Sequence, residues 1–98
     1  MLLACALVAH AQQPSFAPSN LSPSGVRDMA AACAPCHGPG GHSSDPNVAS
    51  IAGRGDVAAT LRAFRDGKRE ATVMQQVAKG FSDAEIAALG AYFARSAR

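Results

Sequence analysis

The chain has no tryptophan, one tyrosine and four phenylalanines in 98 residues. So few aromatics leave little bulk for an interior. Chains of this length bury only about 60–65% of their unfolded surface. A cofactor, metal or cross-link is therefore expected to supply part of the core. Excess charge of one sign is also lacking, since nine Lys and Arg stand against seven Asp and Glu. That balance excludes the basic footprint of a nucleic-acid-binding domain. No apolar run reaches the roughly 18 residues that a membrane-spanning helix needs. Strands of convincing length and alternation are missing as well, and there is no internal repeat. The expected fold class is all-α, with short helices joined by long loops.

Three cysteines are present, but their fates differ. Residues 2–9 form a short apolar run, and Ala9-His10-Ala11 is an A-x-A cleavage pattern. This reads as a secretory signal peptide over residues 1–11. It lacks the positive charge that usually precedes the apolar run, as a truncated signal would. A lipoprotein box at Leu2-Leu3-Ala4-Cys5 would put the run after the cysteine, which is the wrong order. Cleavage removes Met1, Cys5 and His10 and sends the chain to the periplasm. Residues 12–23, rich in Pro, Ser and Gln, read as a flexible lead. Residues 24–98 then form one domain.

Within that domain, Ser22 before Pro23 is a helix start. The expected helix runs to about Ala34 with Val26, Met29, Ala30 and Cys33 on one side. Residues 35–53 carry four glycines and three prolines and are expected to be loop. A loop that long in a small domain points to a functional segment. Asp56 is expected to cap a helix ending near Asp66. Val57, Leu61 and Phe64 recur on its face, and Gly67 stops it. A short helix ending at Gly80 follows. Ser82-Asp83-Ala84-Glu85 is a capping box. It opens a last helix whose apolar face is Ile86, Leu89, Tyr92 and Phe93. Arg95 and Arg98 sit near its negative end.

The chemistry concentrates at Cys33-Ala34-Pro35-Cys36-His37. This is C-x-x-C-H, the attachment signature of haem c. Two thiols at that spacing add across the two vinyl groups of one haem, and the adjacent imidazole reaches the iron. Three other uses were weighed. A thioredoxin-type site needs a preceding strand. Zinc would have to take Cys33, Cys36, His37 and His42 from one short stretch, with no second pair. A disulfide across two residues closes a loop too small to gain much. For the sixth iron position the candidate is Met74, whose thioether would raise the reduction potential. Met29 lies one turn before Cys33 and should pack beside the attachment helix. His42 is too near His37 in sequence to reach the opposite face. The bland reading of Met74 is a core filler. Arg54, Arg62, Arg65, Lys68 and Arg69 make a basic stretch containing Asp56 and Asp66. It is either a solvated helix face, a docking surface, or a counter-charge for an anionic cofactor group.

On these residues the chain resembles the class I cytochromes c, over residues 24–97, and especially the small cytochrome c553-like group. The likeness extends through Gly38-Pro39-Gly40-Gly41-His42-Ser43, Ser50-Ile51-Ala52-Gly53 and Leu61 to Arg69. It continues through Thr72-Val73-Met74, Ala78 to Asp83, and Ala91-Tyr92-Phe93. Within that group it looks most like the haem subunit of flavocytochrome c sulfide dehydrogenase. The resemblance implies a cytochrome c fold around one covalent haem c bound by Cys33, Cys36, His37 and Met74. It implies electron transfer, with no catalytic residue of the chain's own. The implied partner is a redox protein, in particular a flavoprotein subunit that oxidises sulfide. A free periplasmic shuttle is the alternative, and a haem sensor or catalyst with an open iron site a third. The resemblance also implies that a loop Pro carbonyl accepts from the His37 ring, Pro46 before Pro39. It places Tyr92 and Phe93 against Val26, Met29 and Ala30, and sets Arg54, Arg65 or Arg69 at a haem propionate.

Overall fold

The computed structural model describes residues 21–97. The expected signal peptide and most of the lead lie outside them. Among the described residues there are helices α1 (Pro23–Ala31), α2 (Ala34–His37), α3 (Val57–Arg65), α4 (Met74–Lys79) and α5 (Asp83–Arg95), a 3-10 turn at Pro39–Gly41, and no strand. None of these helices is long and apolar enough to cross a membrane. The all-α class read from the sequence is what the structure has.

Ser22 caps α1, its hydroxyl accepting from the Gly25 amide at 3.2 Å. Pro23 fills the first turn, where an N–H would lack a partner anyway. Ser22 and Pro23, the end of the expected lead, therefore belong to the first helix. The expected helix to Ala34 is corrected: α1 stops at Ala31 and a separate turn, α2, begins at Ala34. The physical cause is Pro35. In a continuous helix its ring would collide with the Ala31 carbonyl, and it has no N–H to donate there. The chain tightens through Cys33 N to Ala30 O (3.0 Å) and restarts with His37 N to Cys33 O (2.9 Å). The loop expected over 35–53 is thus helical at its start, because proline is tolerated in a first turn.

Asp56 stands at the N-cap position of α3 but makes no side-chain cap bond. Its carboxylate is taken by Arg54, with Nε to Oδ1 at 3.0 Å and Nη2 to Oδ2 at 2.8 Å. At the other end Gly67 N reaches Phe64 O and Lys68 N reaches Ala63 O, the paired bonds of a Schellman stop. The capping box at α5 is present in full, Ser82 to Glu85 and back.

One core joins the helices. Ala30 of α1, Val57 and Leu61 of α3, Ala78 of α4, and Ile86, Leu89 and Phe93 of α5 are buried together. α3 packs on both α4 and α5, and α1 packs on α5. Gly90 makes the α3–α5 crossing close, since a Cβ there would lie 2.6 Å from the Ala58 Cβ. Phe93 is 2% exposed and meets Tyr92 edge to face, centroids 5.2 Å apart. The expected contact between the first and last helices is therefore found, with Met29 and Tyr92 at the edge of the same core.

Candidate functional site

The proximal half of the site is one turn of chain. Cys33 is the residue before α2, and Cys36 and His37 end it. Both cysteines are free thiols, Cys33 half-buried and Cys36 exposed. Burial pushes the Cys33 thiol up from its ordinary value, and the neighbouring Cys36 adds to the shift. Cys33 thus packs at the core edge, while Cys36 is exposed.

His37 Nδ1 lies 2.7 Å from the Ala49 carbonyl oxygen. A carbonyl can only accept, so Nδ1 carries the proton and donates. In the neutral ring this leaves the Nε2 lone pair as the ligating atom. A hydrogen bond of this kind fixes both tautomer and ring orientation. The acceptor is Ala49, not the expected Pro46 or Pro39. Pro39 is drawn into the 3-10 turn, where its carbonyl accepts from His42 N at 3.1 Å. A backbone acceptor leaves no mark in the side-chain sequence, which is why Ala49 was missed.

The loop is shaped to deliver that carbonyl. Gly38 has φ +84°, and a Cβ there would lie 1.8 Å from the His42 carbonyl oxygen. Only glycine fits this turn. Gly41 O accepts from Ile51 N at 2.9 Å and Ala52 N at 3.2 Å, and Gly53 N donates to Phe93 O at 2.7 Å. The loop is therefore closed on itself and tied to the end of α5. Ser50 Oγ also accepts from Ser43 N at 2.9 Å.

Met74 is on a different element, the first residue of α4. It is half-buried and packs on the same core that Cys33 borders. Cys33 and Met74 thus meet the core from different elements. His42 is exposed on the loop. With Ser50, Ala52 and Arg54 it lines a cavity of about 360 Å³. Arg65 is engaged by Asp66 and Asp83, and Arg69 lies over the Phe64 ring at 5.0 Å. Among the described residues no group of three or more His, Cys, Asp or Glu is gathered to hold a metal ion. The donor set of two thiols, one oriented imidazole and one soft thioether fits haem c with nitrogen and sulfur axial ligands.

A short helical chain with a thiol–thiol–imidazole turn and a separate thioether defines a haem-binding electron carrier by class. Over residues 20–93 the chain matches the family described as cytochrome C oxidase, cbb3-type, subunit III. It is 37% identical to cytochrome c4 of Pseudomonas aeruginosa over 67 residues, 66% of this chain and 33% of that protein. Cytochrome c-554(548) of Halomonas halodenitrificans is 32% identical over 71 residues, 67% of this chain and 86% of that protein. The cytochrome subunit of sulfide dehydrogenase of Chlorobaculum tepidum is 37% identical over 67 residues, 66% of this chain and 60% of that protein. The chain thus spans about a third of the length of the cytochrome c4 it matches. The chain belongs to the cbb3-type subunit III family of cytochrome c domains and is a class I cytochrome c. Its cofactor is one haem c, and its function is haem-based electron transfer.

Proposed function

We propose that Cys33 and Cys36 hold the haem as thioethers, that His37 Nε2 and the Met74 sulfur are its axial ligands, and that the chain passes electrons to and from a protein partner. The observation that carries this reading is the His37 ring, held by Ala49 with its Nε2 free, on the same turn as both thiols. When bound, haem c supplies a one-electron couple at its iron. The protein's part is to orient and exclude. The Nδ1–H to Ala49 bond fixes the orientation of the imidazole. With haem bound, the Met74 thioether would ligate the iron, bar small molecules from it and favour the reduced state. Arg54, which lines the cavity beside His42 and Ser50 and is paired with Asp56, is one candidate counter-charge for a propionate, with Arg65 and Arg69 the others.

The partner we propose is a flavoprotein sulfide dehydrogenase, with this chain as its haem subunit or its acceptor. The likeness to the Chlorobaculum subunit supports this. A free shuttle between carriers is the alternative. Either role suits the periplasm, reached through the signal peptide read over residues 1–11. The lead read over residues 12–23 then gives way to the domain at the Ser22 cap of α1.

The test is a denaturing gel of the exported protein stained for haem peroxidase activity, with the intact mass and visible spectrum. The expected result is a stained band, a mass above that of the polypeptide, and a Soret band. Cys36→Ala should keep only one thioether and mature poorly. A product with the bare polypeptide mass and no Soret band would refute the reading.

A further inference from the structure

Among the described residues, the large apolar side chains left exposed are Leu21, Val73 and Val77. Two of the three flank Met74. At about 100° per residue around a helix, the order from the core outward is Ala78, Met74, Val77, Val73. Exposure rises in that same order. Ala78 is 0% exposed, Met74 is half-buried, Val77 is 39% exposed and Val73 is 61% exposed. The opposite side of α4 is polar, with Gln75, Gln76 and Lys79. The helix therefore carries an apolar arc of about 140°, covered by the core at one end and bare at the other. The bare part adjoins Met74 on the helix surface.

Resting on Met74 as the distal ligand, we propose that Val77 and Val73 form an apolar wall for the haem on its Met74 side, Val77 the inner residue and Val73 the outer. The chain lacks aromatic bulk to do this, and valine suits it because a β-branched side chain is stiff at χ1. Such a wall keeps water from the ring. Low polarity disfavours the more highly charged oxidised state, so the wall raises the reduction potential.

The test uses the haem-loaded protein and its Val77→Thr and Val73→Thr variants, which add a hydroxyl at nearly constant volume. Redox titration should show a lower potential in both, with the larger shift in Val77→Thr. Val77→Ala and Val73→Ala, which admit water without a buried hydroxyl, should repeat the order. Unchanged potentials, or a larger shift at Val73, would overturn the wall. So would a Val73→Asp variant with unchanged potential and spectrum. A parent protein with attached haem but no far-red iron–thioether band would count against Met74 as ligand. The valine shifts would still decide the wall.

Discussion

The two sides of the haem site are held by different physics. On the His37 side, the loop from Gly38 to Gly53 is fixed by backbone hydrogen bonds. These run from Ile51 and Ala52 to Gly41, from Gly53 to Phe93, and from the imidazole to Ala49. Such bonds are directional and tolerate little displacement. On the Met74 side, α4 is six residues long and begins without a side-chain cap. Its side-chain tether to the preceding loop is weak, Gln75 Nε2 to Arg69 O at 3.4 Å. Met74 and Ala78 hold it to the core by apolar packing, which has no preferred direction. One proposed ligand, His37, is aimed by the backbone. The other is placed by burial. The difference teaches that the His37 side should break as a unit, while the Met74 side can be altered without losing the fold.

Gly38→Ala should produce the largest effect. It forces a left-handed φ on alanine and drives a Cβ into the His42 carbonyl. The loop has to open, at a cost of about 3 kcal/mol or more. Urea melts should show that loss, with poor haem incorporation alongside it. An unperturbed midpoint would mean the loop is not the rigid partner in the pair. Met74→Ala comes next and sharpens the contrast. Removing a half-buried side chain should cost about 1–2 kcal/mol while the haem stays attached through Cys33 and Cys36. The far-red thioether band should vanish and the potential should fall. An unchanged potential would remove Met74 from the site.

The smallest effect is at the surface between α3 and the start of α5. The hydrogen bond from Arg65, then its charge, holds the Asp83 carboxyl below its ordinary value, with Arg62 adding slightly. A folded pKa below the unfolded one gives stability that is present above the ordinary aspartate value. That stability is lost as pH falls through the folded value. Both groups face solvent, so salt should weaken the pair. Asp83→Asn should flatten the acid limb of the stability–pH curve slightly. An acid limb identical to the parent's would show that the pair contributes nothing.

Much of the fold was legible in the chain. Ser22-Pro23, the Ser82–Glu85 box and the stops at Gly67 and Gly80 are local signals, and each marks a real boundary. The apolar stripes of α3 and α5 are the buried faces. The break before Cys33 was not anticipated, although Pro35 carries its cause. Asp56 was read as a cap because its position and type suit one. Arg54, two residues away, competes for the carboxylate and wins. The His37 acceptor was assigned to a proline because side chains are all that a sequence displays, and the atom that matters is the main-chain oxygen of Ala49.

By itself the sequence determined the attachment turn, most of the helix boundaries and the candidate ligands. Spacing, caps and periodicity act over a few residues and need no knowledge of the rest of the chain. Only the tertiary structure decided which carbonyl orients His37 and which part of the apolar arc of α4 is left bare. Those depend on how a long loop closes and where helices cross, and such contacts join residues far apart in the chain.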